Sequence, residues 1–143
     1  MDDIWTPERI ATASAFVIER VEADFARTPL PNIELRMDPG WTGTVSAQPG
    51  PQDVICICGG HEFQAQLQGG VEQACITIAW QLQDDVMDEL NRPWPELLDA
   101  GGNFVGVPTP GGDPIAVWAL RGEPFCSVGH LQRAVEAAAL RIR

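Results

Sequence analysis

Lysine and tyrosine are absent from this chain, and its nine basic side chains, all arginine, face 20 acids for a net charge of −11. Without lysine there can be no glycine-rich phosphate loop of the type that closes on Lys. With so few cations the surface repels phosphate backbones and anionic lipid, so neither a nucleic acid nor a membrane is an expected partner. No apolar run approaches the roughly 18 residues that span a bilayer. The opening Met1-Asp2-Asp3-Ile4-Trp5-Thr6-Pro7-Glu8 has neither the basic nor the apolar region of a signal peptide, so a cytoplasmic protein is expected. A Gly-x-Ser-x-Gly elbow, a dinucleotide fingerprint, internal repeats and low-complexity tracts are missing as well. The 143 residues are expected to form one domain, 1–143, long enough to bury a core without disulfides.

Absent lysine and tyrosine beside abundant Ala, Gly and Pro fit a high-GC genome, so part of the acidity reports codon usage. Its physical consequence stands regardless: the surface favours a basic protein partner, or serves only solubility. The four cysteines, at 56, 58, 75 and 126, read as reduced thiols. Cys56 and Cys58 alternate with Ile55 and Ile57, the text of a strand buried on both faces, and Cys75 falls on an apolar helical stripe.

Thr6-Pro7-Glu8 starts a helix: a hydroxyl cap, Pro at the first helical place and an acid in the first turn. Ile10, Ala13, Val17, Val21 and Phe25 continue it at helical spacing until Thr28-Pro29. Ile33, Leu35 and Met37 alternate like a half-buried strand, and Asp38-Pro39-Gly40-Trp41 suits a type II turn into a second strand over 41–47. After the loop Gln48–Gln52, a third strand covers Val54–Cys58. Gly59-Gly60 marks a two-residue hairpin, and a fourth strand alternates Phe63, Ala65 and Leu67. A central helix over about 71–91 ends at Asn91-Arg92-Pro93, and Pro93-Trp94-Pro95 is an extended connector held by its indole. Phe104–Val107 and Ile115–Leu120 suggest another hairpin, Phe125–Val128 a short strand, and Leu131, Val135, Ala138 and Ile142 a last helix. Arg133, Arg141 and Arg143 would then sit where the helix dipole favours cations. The order α-ββββ-α-ββ(β)-α describes an α+β protein: an antiparallel sheet, meander plus hairpin, with three helices.

The central helix carries the most information. Val71, Ala74, Cys75, Ile78, Ala79, Leu82 and Val86 form one wide apolar face, and Ile76, Trp80 and Met87 form a second stripe outside it. A helix this apolar is enclosed on two sides, either by its own chain through the first helix and the Trp94 connector, or by a partner centred on Trp80. Asp84, Asp85, Asp88 and Glu89 follow in its last turns. They make two like-charged i,i+4 pairs, each costing roughly a few tenths of a kcal/mol, where the dipole also disfavours acids. The text resembles the Asp-Asp-x-x-Asp box with which terpene synthases hold magnesium and diphosphate. Those enzymes are larger and all-helical, and no second carboxylate box occurs here, so a solvated acidic rim is the expected role.

Cys58 with His61 and Cys126 with His130 are the candidate metal ligands, but their spacing matches no standard zinc pattern and no cofactor is expected. Cys126 with His61 or His130 could formally make a nucleophilic pair. That chemistry needs a lowered thiol pKa, and a chain so acidic supplies little to lower it.

The segments 79–95 (Ala-Trp-Gln-Leu-Gln-Asp-Asp through Trp-Pro) and 114–131 (with Ala-Val-Trp-Ala-Leu-Arg-Gly) resemble a family of short, uncharacterised actinobacterial proteins. In that family a helix ending Leu-Gln-Asp leads to Trp-Pro, and a later strand carries Val-Trp. The family continues Trp-Pro with Cys-Pro-x-His; Glu96-Leu97-Leu98 stands here instead, removing any metal role for that element. The resemblance implies source and fold, not activity. The order of elements, size and acidity are also similar to small secretion-chaperone folds, an analogy of architecture alone.

The sequence therefore points to a non-enzymatic protein-binding module of chaperone, adaptor or immunity type. Ile76, Trp80 and Met87 would form its docking face, rimmed by Asp84, Asp85, Asp88 and Glu89, with a homodimer or another protein as the partnership. The competing expectation is a metal-dependent enzyme or metalloprotein using the acidic helix end or the Cys/His set.

Overall fold

A computed structural model describes residues 7–25, 36–37, 53–58, 61–66, 70–99, 102–111 and 115–142. Helix α1 runs Pro7–Phe25, with Glu8 in its first turn as the opening text requires. Its buried stripe is Ser14, Val17, Val21, Asp24 and Phe25, one helical face with two polar members. Strands β1 (Arg36–Met37), β2 (Asp53–Cys58) and β3 (His61–Gln66) form an antiparallel sheet in the order β1-β2-β3. Cys58 pairs with His61, and Gly59-Gly60 between them lie outside the described residues. The expected strand over 41–47, the turn before it, the loop at 48–52 and the segment 28–35 lie outside the described residues.

Helix α2 spans Val71–Leu90 and ends on Asn91 in the left-handed conformation, φ 55°. It packs against α1, β3, β6 and β7, and buries Ala74, Cys75, Ile76, Ile78, Ala79, Leu82, Gln83 and Val86. Those positions cover more than half its circumference, which explains the width of the apolar face. Trp94 follows, fully buried. Its ring stacks on Phe25 at 4.9 Å, and Phe25 lies 5.9 Å from Trp118. Each such pair adds about 0.5–1.5 kcal/mol beyond area burial. The Trp94 side chain is thus held by packing, since its indole N–H has no hydrogen-bond partner among the described residues. A cis bond joins Trp94 to Pro95.

Beyond the connector the chain is richer in strands than its text suggests. Strands β4 (Glu96–Asp99) and β5 (Gly102–Val105) pair with each other, and β6 (Val107–Pro110), β7 (Ala116–Leu120) and β8 (Glu123–Ser127) make a separate meander. The expected strand Phe104–Val107 is therefore cut at Gly106, one half in each sheet. The cause is a close approach. A Cβ at Gly106 would meet Pro95 Cγ at 3.1 Å and Trp118 Cε3 at 3.2 Å. The buried Gln83 amide donates to the carbonyls of both Gly106 (2.6 Å) and Trp94 (3.0 Å), and the Gly106 N–H donates to Pro95 O at 3.0 Å.

Helix α3 is shorter than expected, Leu131–Ala137. Ala139 turns left-handed, φ 57°, and the N–H groups of Ala139 and Leu140 donate back to Glu136 O and Val135 O. That is the bond pattern of a Schellman stop. The chain leaves as β9 (Arg141–Ile142), which pairs with β4, so Arg141 and Ile142 belong to a strand and not to a helix end. The described architecture is α+β: three helices with three antiparallel sheets of three strands. One cluster of buried side chains from α1, α2, β7 and α3, with Trp94, Leu97 and Val128, joins the three helices to the sheets of β4 and β7.

Candidate functional site

Residues 73, 77, 80, 84, 87 and 88 recur at three- and four-residue steps and so share one ridge along α2. Thr77 Oγ1 bonds back to Gln73 O at 3.1 Å, within the helix. Midway along this ridge Trp80 is 44% exposed, and Asp84, Asp88 and Glu89 beyond it are exposed too. Asp85 is half-buried and already engaged by a neighbour, and Met87 is half-buried against the core. The expected docking set therefore separates. Ile76, at 4% exposure, lies inside the core cluster and cannot touch a partner directly. Its position on the helix is one edge of the buried face, beside Gln83, so the second stripe is covered on that side and open at Trp80.

An exposed indole on one ridge with the solvated carboxylates of Asp84 and Asp88 can do two things. Its ring offers a large rigid apolar contact, and the acids attract cationic groups around it. No hydrogen bond or ion pair within the chain is needed to hold that arrangement, since helix geometry alone fixes it.

The Cys/His candidates behave differently. Cys126, on β8, is a free thiol, and burial together with the nearby Asp24 carboxylate pushes its pKa up to about 12. That is the wrong direction for a nucleophile or a metal ligand, both of which need thiolate. Burial likewise raises Cys75, to about 11. Cys58 and His61 are partners in the β2–β3 register, while His130 is exposed at the start of α3. Among the described residues no three His, Cys, Asp or Glu side chains come together as a group that could hold a metal.

Asp24 is the one buried acid among the described residues, and its role is legible in its partners. Oδ2 accepts the Trp118 indole N–H and the Gly129 N–H, both at 2.6 Å, and Oδ1 accepts the Leu131 N–H at 2.9 Å. The carboxylate thus supplies the first turn of α3 with the cap that His130 does not provide. Burial raises its pKa, outweighing those three donors and the charge of His130. Nearby, Arg20 pairs with Glu72 and donates to Val128 O at 3.0 Å, and Glu72 Oε1 accepts the Ala116 N–H at 3.1 Å. These groups tie α1 and α2 to β7 and α3. They are a structural seam, facing one another more than a ligand.

No protein-family model, curated protein or solved structure matches this chain.

Proposed function

We propose that this protein is a non-enzymatic binding module, of chaperone, adaptor or immunity type, that docks a basic protein partner on the Trp80 ridge. The observation that carries the reading is Trp80 itself, 44% exposed in the middle of α2, with the exposed Asp84 one turn on and Asp88 two turns on along the same ridge. A large aromatic ring left in water, followed along its ridge by two acids, is the anatomy of a contact with an apolar socket and a cationic margin. A second copy of this chain is the less fitting occupant of this ridge. In a two-fold pairing the same patch meets itself, so the acids of one copy would oppose those of the other. The raised Cys126 thiol supports a binding role over thiol catalysis, and reduced cysteines suit a cytoplasmic setting.

The test is calorimetric titration with a synthetic amphipathic helix carrying a leucine face and arginine flanks. Saturable one-to-one binding that weakens with salt is expected. Trp80→Asp should weaken it by a factor of roughly thirty or more, the loss typical of a central aromatic anchor, while leaving thermal melting unchanged. Equal binding by Trp80→Asp and the parent would overturn the assignment, as would failure of the parent to bind any peptide of this class.

A further inference from the structure

Away from the α2 ridge, and independent of it, a cleft of about 580 Å³ opens where β5 and β6 meet the β7–β8 hairpin. Its size lies within the range of small-molecule sites. Residues of alternate parity on β7 face opposite sides: Ala116, Trp118 and Leu120 point to the core, leaving Val117 and Ala119 on the other face. Val107 pairs with Ala119 across the sheet and is 37% exposed, so this outer face is apolar where a solvated strand would be polar. Phe104 walls one side.

One cation stands in this apolar lining. Arg121 occupies the first place of the two-residue turn between β7 and β8, with φ 53°, followed by Gly122 at φ 82°. Two successive positive φ angles are those of a type I′ turn, and Gly122 suits its place, while Arg in the left-handed region costs about 1 kcal/mol. The strain is accompanied by a fixed position: the Arg121 guanidinium lies over the Phe104 ring, 4.1 Å from its centroid. A guanidinium stacked by its face leaves its edge donors for a planar acceptor. Among the described residues Arg121 has no carboxylate partner. Among the described residues that line the cleft it is the one charged side chain. Glu123, two residues on, is exposed and does not line the cleft.

We infer that this cleft is a binding site for a small amphipathic carboxylate, whose acid group takes the edge of Arg121 and whose apolar body lies between Phe104, Val107 and Ala119. The shape and lining select an apolar chain or ring, and the lone guanidinium selects the charge. A neutral alcohol of the same length lacks the charge-assisted bond, and a cationic amphiphile meets repulsion from Arg121.

The experiment is calorimetric titration of the intact protein with decanoate, decanol and decyltrimethylammonium, each below its micelle concentration. The parent should bind decanoate once per chain, at least tenfold more tightly than decanol, with no saturable binding of the cation. Arg121→Asn is the informative variant, because Asn tolerates the left-handed turn and melting should not fall. It should lower decanoate affinity about tenfold and leave decanol unchanged. A second variant, Val107→Trp, fills the cleft without touching the charge and should lower the affinity for decanoate and decanol together. Decanoate binding no tighter than decanol, or unchanged in either variant, would overturn the site. Because neither position lies on the α2 ridge, failure here leaves the peptide-docking result standing, and the reverse also holds.

Discussion

Asp24 shows how much one side chain decides. Replacing it by Ala strands two buried donors, Trp118 Nε1 and Leu131 N, and the half-buried Gly129 N, and should cost about 3 kcal/mol in chemical denaturation. Its titration gives a second expectation. Because burial raises the folded-state pKa, the folded protein holds this proton more tightly than the unfolded chain. The resulting stability is fully present below the ordinary value of 3.8 and is lost as pH rises through the raised one. The stability difference between the parent and Asp24→Asn, which cannot ionise, should therefore shrink as pH climbs across that window. A difference that grows with pH would mean the three donors outweigh burial. The residue was within reach of the sequence, since an acid at position 24 interrupts a stripe running through Val17, Val21 and Phe25. Its partners were not, because they lie more than ninety positions away. Arg121 was harder still: Arg-Gly between two strands signals a turn, but no periodicity indicates that Phe104 lies beneath it.

At the scale of elements, the left-handed residue that stops α3 is an alanine. Ala139→Gly removes the clash of its Cβ, offset in part by the greater freedom glycine gives the unfolded chain, and should raise stability by about 0.5–1 kcal/mol. Thermal or urea unfolding reads this directly, and a lower midpoint would refute the Schellman assignment. Helix α2 and the strand order before it were legible from caps, glycine pairs and period. What the text concealed was the end of α3 and the division at Gly106. Ala138 and Ile142 continue the helical spacing, so nothing in the pattern announces a stop made by backbone bonds at Ala139 and Leu140. Likewise Phe104 to Val107 reads as one strand, because the sequence does not show that Pro95 and Trp118 crowd Gly106. The second stripe of α2 was half legible: Trp80 is open as expected, whereas Ile76 is covered, a matter of which neighbours arrive and not of spacing.

For the whole molecule, the charge of −11 is a source of self-repulsion in the compact state. Sodium chloride raised from low to physiological concentration should increase Tm, and the same salt should weaken the basic peptide on the α2 ridge. A flat Tm would mean the acids are too dispersed to repel. The buried seam has a different consequence. Asp24 reaches Trp118, Gly129 and Leu131 across 94, 105 and 107 residues of chain, and β9 returns to β4 across a shorter detour, Leu97 pairing with Ile142. Such closures form only when most of the chain is already in place, which slows folding relative to a helical bundle of this size. They also forbid piecemeal loss. Helix α1 cannot peel away without uncapping α3 and freeing the Trp118 indole, so amide protons in α1, β7 and α3 should exchange through one shared opening event, at one common rate limit.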